Sequence, residues 1–263
     1  MFEPLKTSGC ILLLSLHLLF PQSEENPETL CLPYHQTITA IYTYPGYTLQ
    51  YNEKFEQANW VAYVLTKNEV LGNNATRTDK FLPDPFILTG SATDADYRKS
   101  GYDRGHLAPA ADMKWSPEAM KACFYYSNMS PQDPAFNRGI WSSLEAMVRY
   151  WAVENGSVLV VTGPVLNSPD FPRIGPNAVA VPEMYFKVIL DYQKPETKAI
   201  GFILPNHKGL KPLESYACTV DYVEEVTGLD FFPDLPDQEE TQLESAYLLS
   251  LWPFIEFSQH RNP

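Results

Sequence analysis

The sequence predicts an α+β domain in which a central antiparallel sheet is flanked by helices. Runs rich in Val, Ile, Phe and Tyr cluster in the second half of the chain without regular strand–helix alternation. One long segment carries an apolar stripe of 3.6-residue period. The short polar turn Asp191 to Thr197, with Pro195, joins two of the apolar runs as an antiparallel pair. At 263 residues, with 44% hydrophobic and 13% aromatic residues, the chain can bury a substantial core.

Ahead of that domain, Lys6 precedes the apolar run Ile11 to Phe20, and Pro21-Gln22-Ser23-Glu24-Glu25 follows it. The run is too short to span a bilayer and has the length of a signal-peptide core. Residues 1–23 are therefore read as an approximate signal peptide. Residues 24–263 follow as one exported domain, secreted or periplasmic, without stable membrane association. Processing leaves Cys31, Cys123 and Cys218, an odd set that permits one internal disulfide at most, with Cys31 and Cys218 as the candidate pair. Cys123 sits in an apolar helical stretch and reads as a buried thiol. No cysteine pair has zinc-ligand spacing.

A polar, Pro-containing segment leads to Asn59–Thr66, a buried strand. Residues 68–102 are rich in Asn, Asp, Thr and Pro and read as loop with short turns. Pro109 argues against a continuous helix over 103–114. Ser116 as N-cap with Pro117 at the first helical position starts a helix to about Phe124. From Pro134 to about Asn155, Ile140, Leu144, Met147, Val148 and Trp151 form one apolar stripe. Asn137, Trp141, Glu145 and Arg149 form a ribbon beside it. Strands follow at Ser157–Val165, Ala178–Val181, Met184–Tyr192 and Lys198–Leu204. A last helix spans Thr219–Thr227, closed by Gly228.

The residues that bear chemistry fall in the middle of the chain. Asp103-Arg104-Gly105-His106 is followed by Asn128, Asn137, Glu145 and Arg149, and preceded by Arg77. A lone histidine is more often structural. Here it follows a turn-compatible tripeptide, where a neutral imidazole could take a proton from water attacking phosphorus. Asn137 could cap its helix, or offer a neutral oxygen to a hydrated Mg²⁺. Glu145 could be a solvated surface acid, or pair with Arg149 across one turn. Arg77 in a polar loop is by itself most often solvent-exposed.

In order and spacing, Arg77, Asp103-Arg104-Gly105-His106, Ser127-Asn128-Met129-Ser130-Pro131-Gln132, Asn137-Arg138-Gly139, Leu144-Glu145 and Arg149 resemble the DNA/RNA non-specific endonucleases. These are nucleases of the ββα-metal, or His-Me finger, fold. The resemblance runs from about Tyr47 to Leu249 and includes Val161-Thr162-Gly163-Pro164 and Phe202-Ile203-Leu204-Pro205-Asn206. It implies a ββα site over about 103–149, with His106 as general base and Asn137 as the direct protein ligand to Mg²⁺, for which Mn²⁺ can substitute. It further implies that Glu145 fixes water around that ion, that Arg77 and Arg149 meet the scissile phosphate, and that Asn128 supports the site. Arg104 and Arg138 are candidate substrate contacts. The implied reaction is hydrolysis of DNA and RNA to 5′-phosphate products. Weak sequence preference is expected where contacts go to phosphate rather than base edges.

Composition pulls the other way. A net charge of −13 argues against a broad basic surface of the kind that coats nucleic acid. Two rivals follow: a phosphodiesterase acting on a smaller ester, and an exported binding module with a decayed site. The presence together of His106, Asn137, Glu145, Arg77 and Arg149 argues against decay.

Overall fold

A computed structural model describes residues 32–34, 40–193 and 196–255. The expected signal peptide and Cys31, with its proposed pairing to Cys218, lie outside the described residues.

The chain enters through β1 (Ile41–Tyr44) and β2 (Tyr47–Asn52), a hairpin turned at Pro45-Gly46. Gly46 has φ 91°, and a Cβ there would lie 2.7 Å from the Met113 sulfur, so the turn requires glycine twice over. This hairpin is a structural addition to the sequence reading. Its signal was the period-two burial of Tyr47, Leu49 and Tyr51, hidden in a segment read as polar.

β3 (Gln57–Thr66) follows, then α1 (Lys67–Leu71) and α2 (Asp94–Tyr97) within the expected loop. Both helices open on a Thr-x-x-acid capping box, at Thr66/Glu69 and Thr93/Asp96. Next come β4 (Asp103–His106), α3 (Pro117–Ala122) and β5 (Met129–Gln132). Ser116 caps α3 as expected, accepting from the amides of Glu118 and Ala119.

The long helix expected from Pro134 is not continuous. It runs as α4 (Pro134–Phe136), a π turn over Asn137–Trp141 and α5 (Ser142–Asn155), with Gly139 at φ −108°, ψ −113°. The wider turn shifts the register. Trp141 is consequently buried in the core against Phe136 and Tyr185, and does not stand in the polar ribbon where straight-helix geometry put it.

The remaining elements are β6 (Ser157–Pro164), the short pair β7 (Arg173–Ile174) and β8 (Val179–Ala180), β9 (Met184–Asp191), β10 (Lys198–Pro205), β11 (Ala217–Cys218), α6 (Val220–Thr227) and α7 (Asp237–Glu244). Seven strands form one antiparallel sheet in the order β1-β2-β3-β6-β9-β10-β11, while β4 and β5 pair separately. The α+β expectation holds.

Strand alternation divides the sheet into two apolar faces. Val61, Tyr63, Val160, Ile189 and Phe202 pack with α3 and α5, while Trp60, Ala62, Val161, Val188 and Ala199 pack with α6 and α7. An extra residue at Asn59, where the β2–β3 register shifts, returns Ala58 to the first face. Alternation places Lys187, between Tyr185 and Ile189, on the first face as well, where it is fully buried.

The β4–β5 ribbon is fastened to this face by Tyr185, whose hydroxyl donates to Pro131 O at 2.9 Å and meets Ser130 Oγ at 2.6 Å. Cys123 is buried as expected, its thiol 3.2 Å from Met120 O. Among the described residues no helix is long and apolar enough to cross a membrane.

Candidate active site

β4, β5 and the helix that follows make the ββα unit. Along β4, Arg104 and His106 point to one side and Asp103 and Gly105 to the other. On the second side, Asp103 accepts from Asn137 Nδ2 at 2.9 Å and from both Nε (2.8 Å) and an outer nitrogen (2.6 Å) of Arg138. These bonds tie the strand to the π turn, and committing Nδ2 leaves Asn137 Oδ1, an acceptor oxygen, without a hydrogen-bond partner among the described residues. Asp103 is accordingly held below the usual carboxylate range by its Arg138 and Asn137 bonds, which outweigh its burial. A Cβ at Gly105 would meet the buried Gln132 side chain at 2.2 Å, so this close approach needs glycine.

On the first side His106 is only 9% exposed and sits between two phenylalanine rings, Phe81 at 5.6 Å and Phe124 at 4.8 Å. Each ring also carries an arginine: Arg104 lies 4.0 Å from the centre of Phe81, and Arg77 lies 5.2 Å from that of Phe124. Burial first, and then the Arg77 guanidinium, push the imidazole down to about 3, so it is neutral across the physiological range. Its Nε2 is buried without a hydrogen-bond partner among the described residues.

This has a consequence for stability. An unfolded chain takes up a proton at this histidine as pH falls through about 6.5, whereas the folded chain does so only near 3. Stability is therefore fully present above pH 6.5 and lost as pH falls through that window. The expected result is that the stability difference between the parent and His106→Gln, from urea titrations, shrinks by up to about 1.4 kcal/mol per pH unit between pH 6 and 4. A constant difference would contradict the buried, neutral assignment.

α5 carries the rest. Glu145 and Arg149 stand one turn apart, yet Arg149 turns to Asp112 at 2.8 Å. Asp112 is almost fully buried and also accepts from the Tyr63 hydroxyl at 2.9 Å. Lys187 reaches this cluster from β9, its Nζ buried and without a hydrogen-bond partner among the described residues, 4.7 Å from the centre of the Trp141 ring. Burial raises the Glu145 carboxyl above its usual range against the pull of Lys187 and Arg149, and burial lowers the Lys187 ammonium. The Arg77 guanidinium acts on His106 and, more weakly, on Glu145 through its charge.

Asn128 has a different place from the others. It is fully buried, its Oδ1 accepting from Ala108 N at 2.9 Å and its Nδ2 donating to Ala108 O at 3.0 Å and Cys123 O at 2.8 Å. With all three bonds spent on backbone, it fixes the loop that leaves His106 and presents nothing to a ligand. Asn128→Ala orphans those groups, and a loss of about 2–4 kcal/mol is expected by chemical denaturation; an unchanged midpoint would contradict the clamp.

Phe81, Phe124, Asp112, Tyr63 and Lys187 are not among the site residues expected from the sequence. Lys187 had a legible signal: a lysine amid Met-Tyr-Phe-Lys-Val-Ile-Leu, in a strand apolar on both faces. The phenylalanines had none, because their importance comes from loop positions that converge only in space.

An open cleft of about 530 Å³ is lined by Arg77, Arg98, Arg104, Asn137 and Arg138, while His106, Glu145 and Arg149 are not among its lining residues. Every arginine of the cleft is paired with an aspartate: Arg77 with Asp79 at 2.6 Å, Arg98 and Arg104 with Asp94 at 2.8 and 3.0 Å, and Arg138 with Asp103 at 2.6 Å. A larger cavity of about 690 Å³ near Tyr51 and Pro169 holds none of these groups.

A two-stranded ribbon followed by a helix, with a buried histidine at the end of one strand and an asparagine tied to the start of that strand, is the arrangement of a ββα-metal nuclease. The sequence model of the DNA/RNA non-specific endonuclease family matches residues 32–238. The chain belongs to that family and is of the metal-dependent endonuclease class. It is 35% identical to human mitochondrial endonuclease G over 203 residues, covering 72% of this chain and 68% of that protein. Mitochondrial nuclease EXOG of Danio rerio is 34% identical over 230 residues (82% and 67% coverage), and mitochondrial nuclease 1 of Schizosaccharomyces pombe is 36% identical over 227 residues (78% and 70%). The crystal structure of the EndoG/EndoGI complex superposes with a TM-score of 0.74 at 29% identity, covering 80% of this chain and 91% of the matched chain.

These relatives correct the expectation of export, since they are named as mitochondrial proteins. The physical reason is that a short apolar run behind one lysine sets a length and a polarity, not the membrane at which it is read.

Proposed function

We propose that this protein hydrolyses phosphodiester bonds of both DNA and RNA, leaving 5′-phosphate ends, with His106 as general base. The observation that carries the reading is the coupling through β4: the strand that ends in a neutral, aromatic-boxed His106 begins in Asp103, which orients Asn137. His106 takes the proton of the attacking water, as a neutral imidazole can. Arg77 and Arg149 oppose the charge that grows on the phosphate, and Arg104 and Arg138 hold neighbouring phosphates.

The donor set fits a hard divalent ion: the bond from Asn137 Nδ2 to Asp103 leaves Oδ1 for a ligand, and Glu145 lies two turns further along the same helical segment. A neutral amide oxygen leaves most positions to water and substrate, which suits Mg²⁺, with Mn²⁺ as a substitute. When bound, the ion supplies Lewis-acid stabilisation of charge on the phosphate and leaving oxygen. Residues 24–263 act as one domain in this reading, supported by a single sheet with both apolar faces covered.

The test is end-group analysis of digests. Products of DNA and of RNA should accept a 5′ label from polynucleotide kinase only after phosphatase treatment. Direct labelling would contradict the proposed bond cleaved, and cleavage of a small phosphodiester alone would favour the narrower esterase.

The paired arginines support a route by which an acidic chain meets a polyanion: phosphate displaces aspartate from guanidinium groups already in place. Asp94→Asn, which releases Arg98 and Arg104, should lower KM for DNA by about 2–5-fold at low salt, with the gain shrinking as salt is raised. An unchanged KM would contradict the exchange.

A further inference from the structure

We propose that Asp221, Glu224 and Glu244 form a second divalent-cation site, for Ca²⁺, on the sheet face opposite the catalytic cleft. Asp221 and Glu224 are three residues apart on one side of α6, and Glu244 ends α7. One carboxylate oxygen from each lies within 4.8 Å of the others. Oxygens bound to one Ca²⁺ at about 2.3–2.6 Å stand no more than about 5 Å apart, so a single ion can bridge all three.

Glu244 supplies the independent sign of a ligand. It is 7% exposed, and its Oε1 is buried with no hydrogen-bond partner among the described residues. A buried carboxylate oxygen without a donor is costly unless a cation or proton meets it. The groups that act on Glu244 are all of the wrong sign: burial and the carboxylates of Glu224, Glu240, Asp221 and Asp230 push it up to about 9. Glu224 is pushed up to about 7 by burial, although its Oε1 accepts from Phe231 N at 2.7 Å. That bond fixes the carboxylate beside Glu244, so part of the site is built before any ion arrives.

The donors are all hard oxygens, with no histidine or cysteine among them, which disfavours zinc and copper. Three carboxylates from two helices, with exposed Asp221 at the mouth, leave the remaining positions to water. Such an irregular set suits Ca²⁺ better than Mg²⁺, which demands near-octahedral geometry. The bound ion joins α6 to α7 across a surface otherwise held apart by like charges.

Calorimetric titration of metal-free protein with CaCl₂ tests the site, in an Asn137→Ala background that weakens metal binding in the catalytic cleft. The proposal expects one Ca²⁺ per chain, with affinity at least about ten-fold weaker in Glu244→Gln and in the exposed Asp221→Asn. With Asn137 restored, both variants should nick DNA in Mg²⁺ at the parental rate. Absence of binding, or equal affinity in parent and variants, overturns the site. So does a Glu244→Gln chain stabilised without Ca²⁺ in a parent that takes up no ion, since Glu224 and Glu244 then share a proton instead. If Glu244→Gln fails to fold, Asp221→Asn alone decides. None of these outcomes depends on nuclease activity, so the site stands or falls apart from the proposed reaction.

Discussion

His106→Ala lowers the rate of plasmid nicking in Mg²⁺ by about 10²–10⁴-fold, the range a positioned general base contributes, with little change in KM. The split follows from position. The imidazole is buried between Phe81 and Phe124, while Arg104 and Arg77 lie against those rings and pair with aspartates. Removing the ring leaves them in place. Steady-state kinetics beside circular dichroism check this; an equal kcat would remove His106 from the mechanism. The parent should also keep its rate as pH falls through 6.5, because burial and Arg77 hold His106 down to about 3. An acid limb centred near 6.5 that disappears in His106→Ala would contradict the neutral box.

Asp112→Ala has the largest expected effect on stability. Asp112 is almost fully buried and bridges Arg149 and Tyr63, on a face where Lys187 is fully buried and Glu145 half-buried. Removing one partner of a buried pair leaves the other charge uncompensated, at about 3–5 kcal/mol. For a chain of this size that is a fall in Tm of roughly 6–20 °C. Activity should fall as well, since Arg149 loses the ion pair that fixes its guanidinium. Asp112→Asn, which keeps an acceptor for Tyr63, should lie between Ala and parent. A Tm within about 1 °C of the parent for Asp112→Ala would show that the cluster does not hold the site together.

The residue types of the site were legible because chemistry limits them. A histidine after Asp-Arg-Gly and an asparagine at the start of a helix restrict what the segment can do. Secondary structure was legible where one period dominates, as in β9, β10 and the stripe of α5. It failed at Asn137–Trp141, where Gly139 departs from helical geometry and a π turn moves Trp141 from the ribbon into the core. No count of residues at 100° steps anticipates an inserted residue. It also failed for Tyr47, Leu49 and Tyr51, whose alternation was masked by polar neighbours.

Asn128 shows the other limit. The sequence placed it at the site, but only the three backbone bonds show that it positions the loop after His106. Asp112 could not be assigned from spacing, because its partners Arg149 and Tyr63 come from α5 and β3, far along the chain. The conflict between a net charge of −13 and a polyanionic substrate likewise needed structure: the cleft arginines are present but already paired with aspartates.

The most direct measurement is conversion of supercoiled plasmid, and of a structured RNA, by the purified protein in Mg²⁺ with and without chelator. Nicking of both substrates in Mg²⁺, abolished by chelator, is the predicted result. Absence of cleavage on either polymer in Mg²⁺, or cleavage that survives the chelator, would contradict a metal-dependent nuclease built on His106 and Asn137.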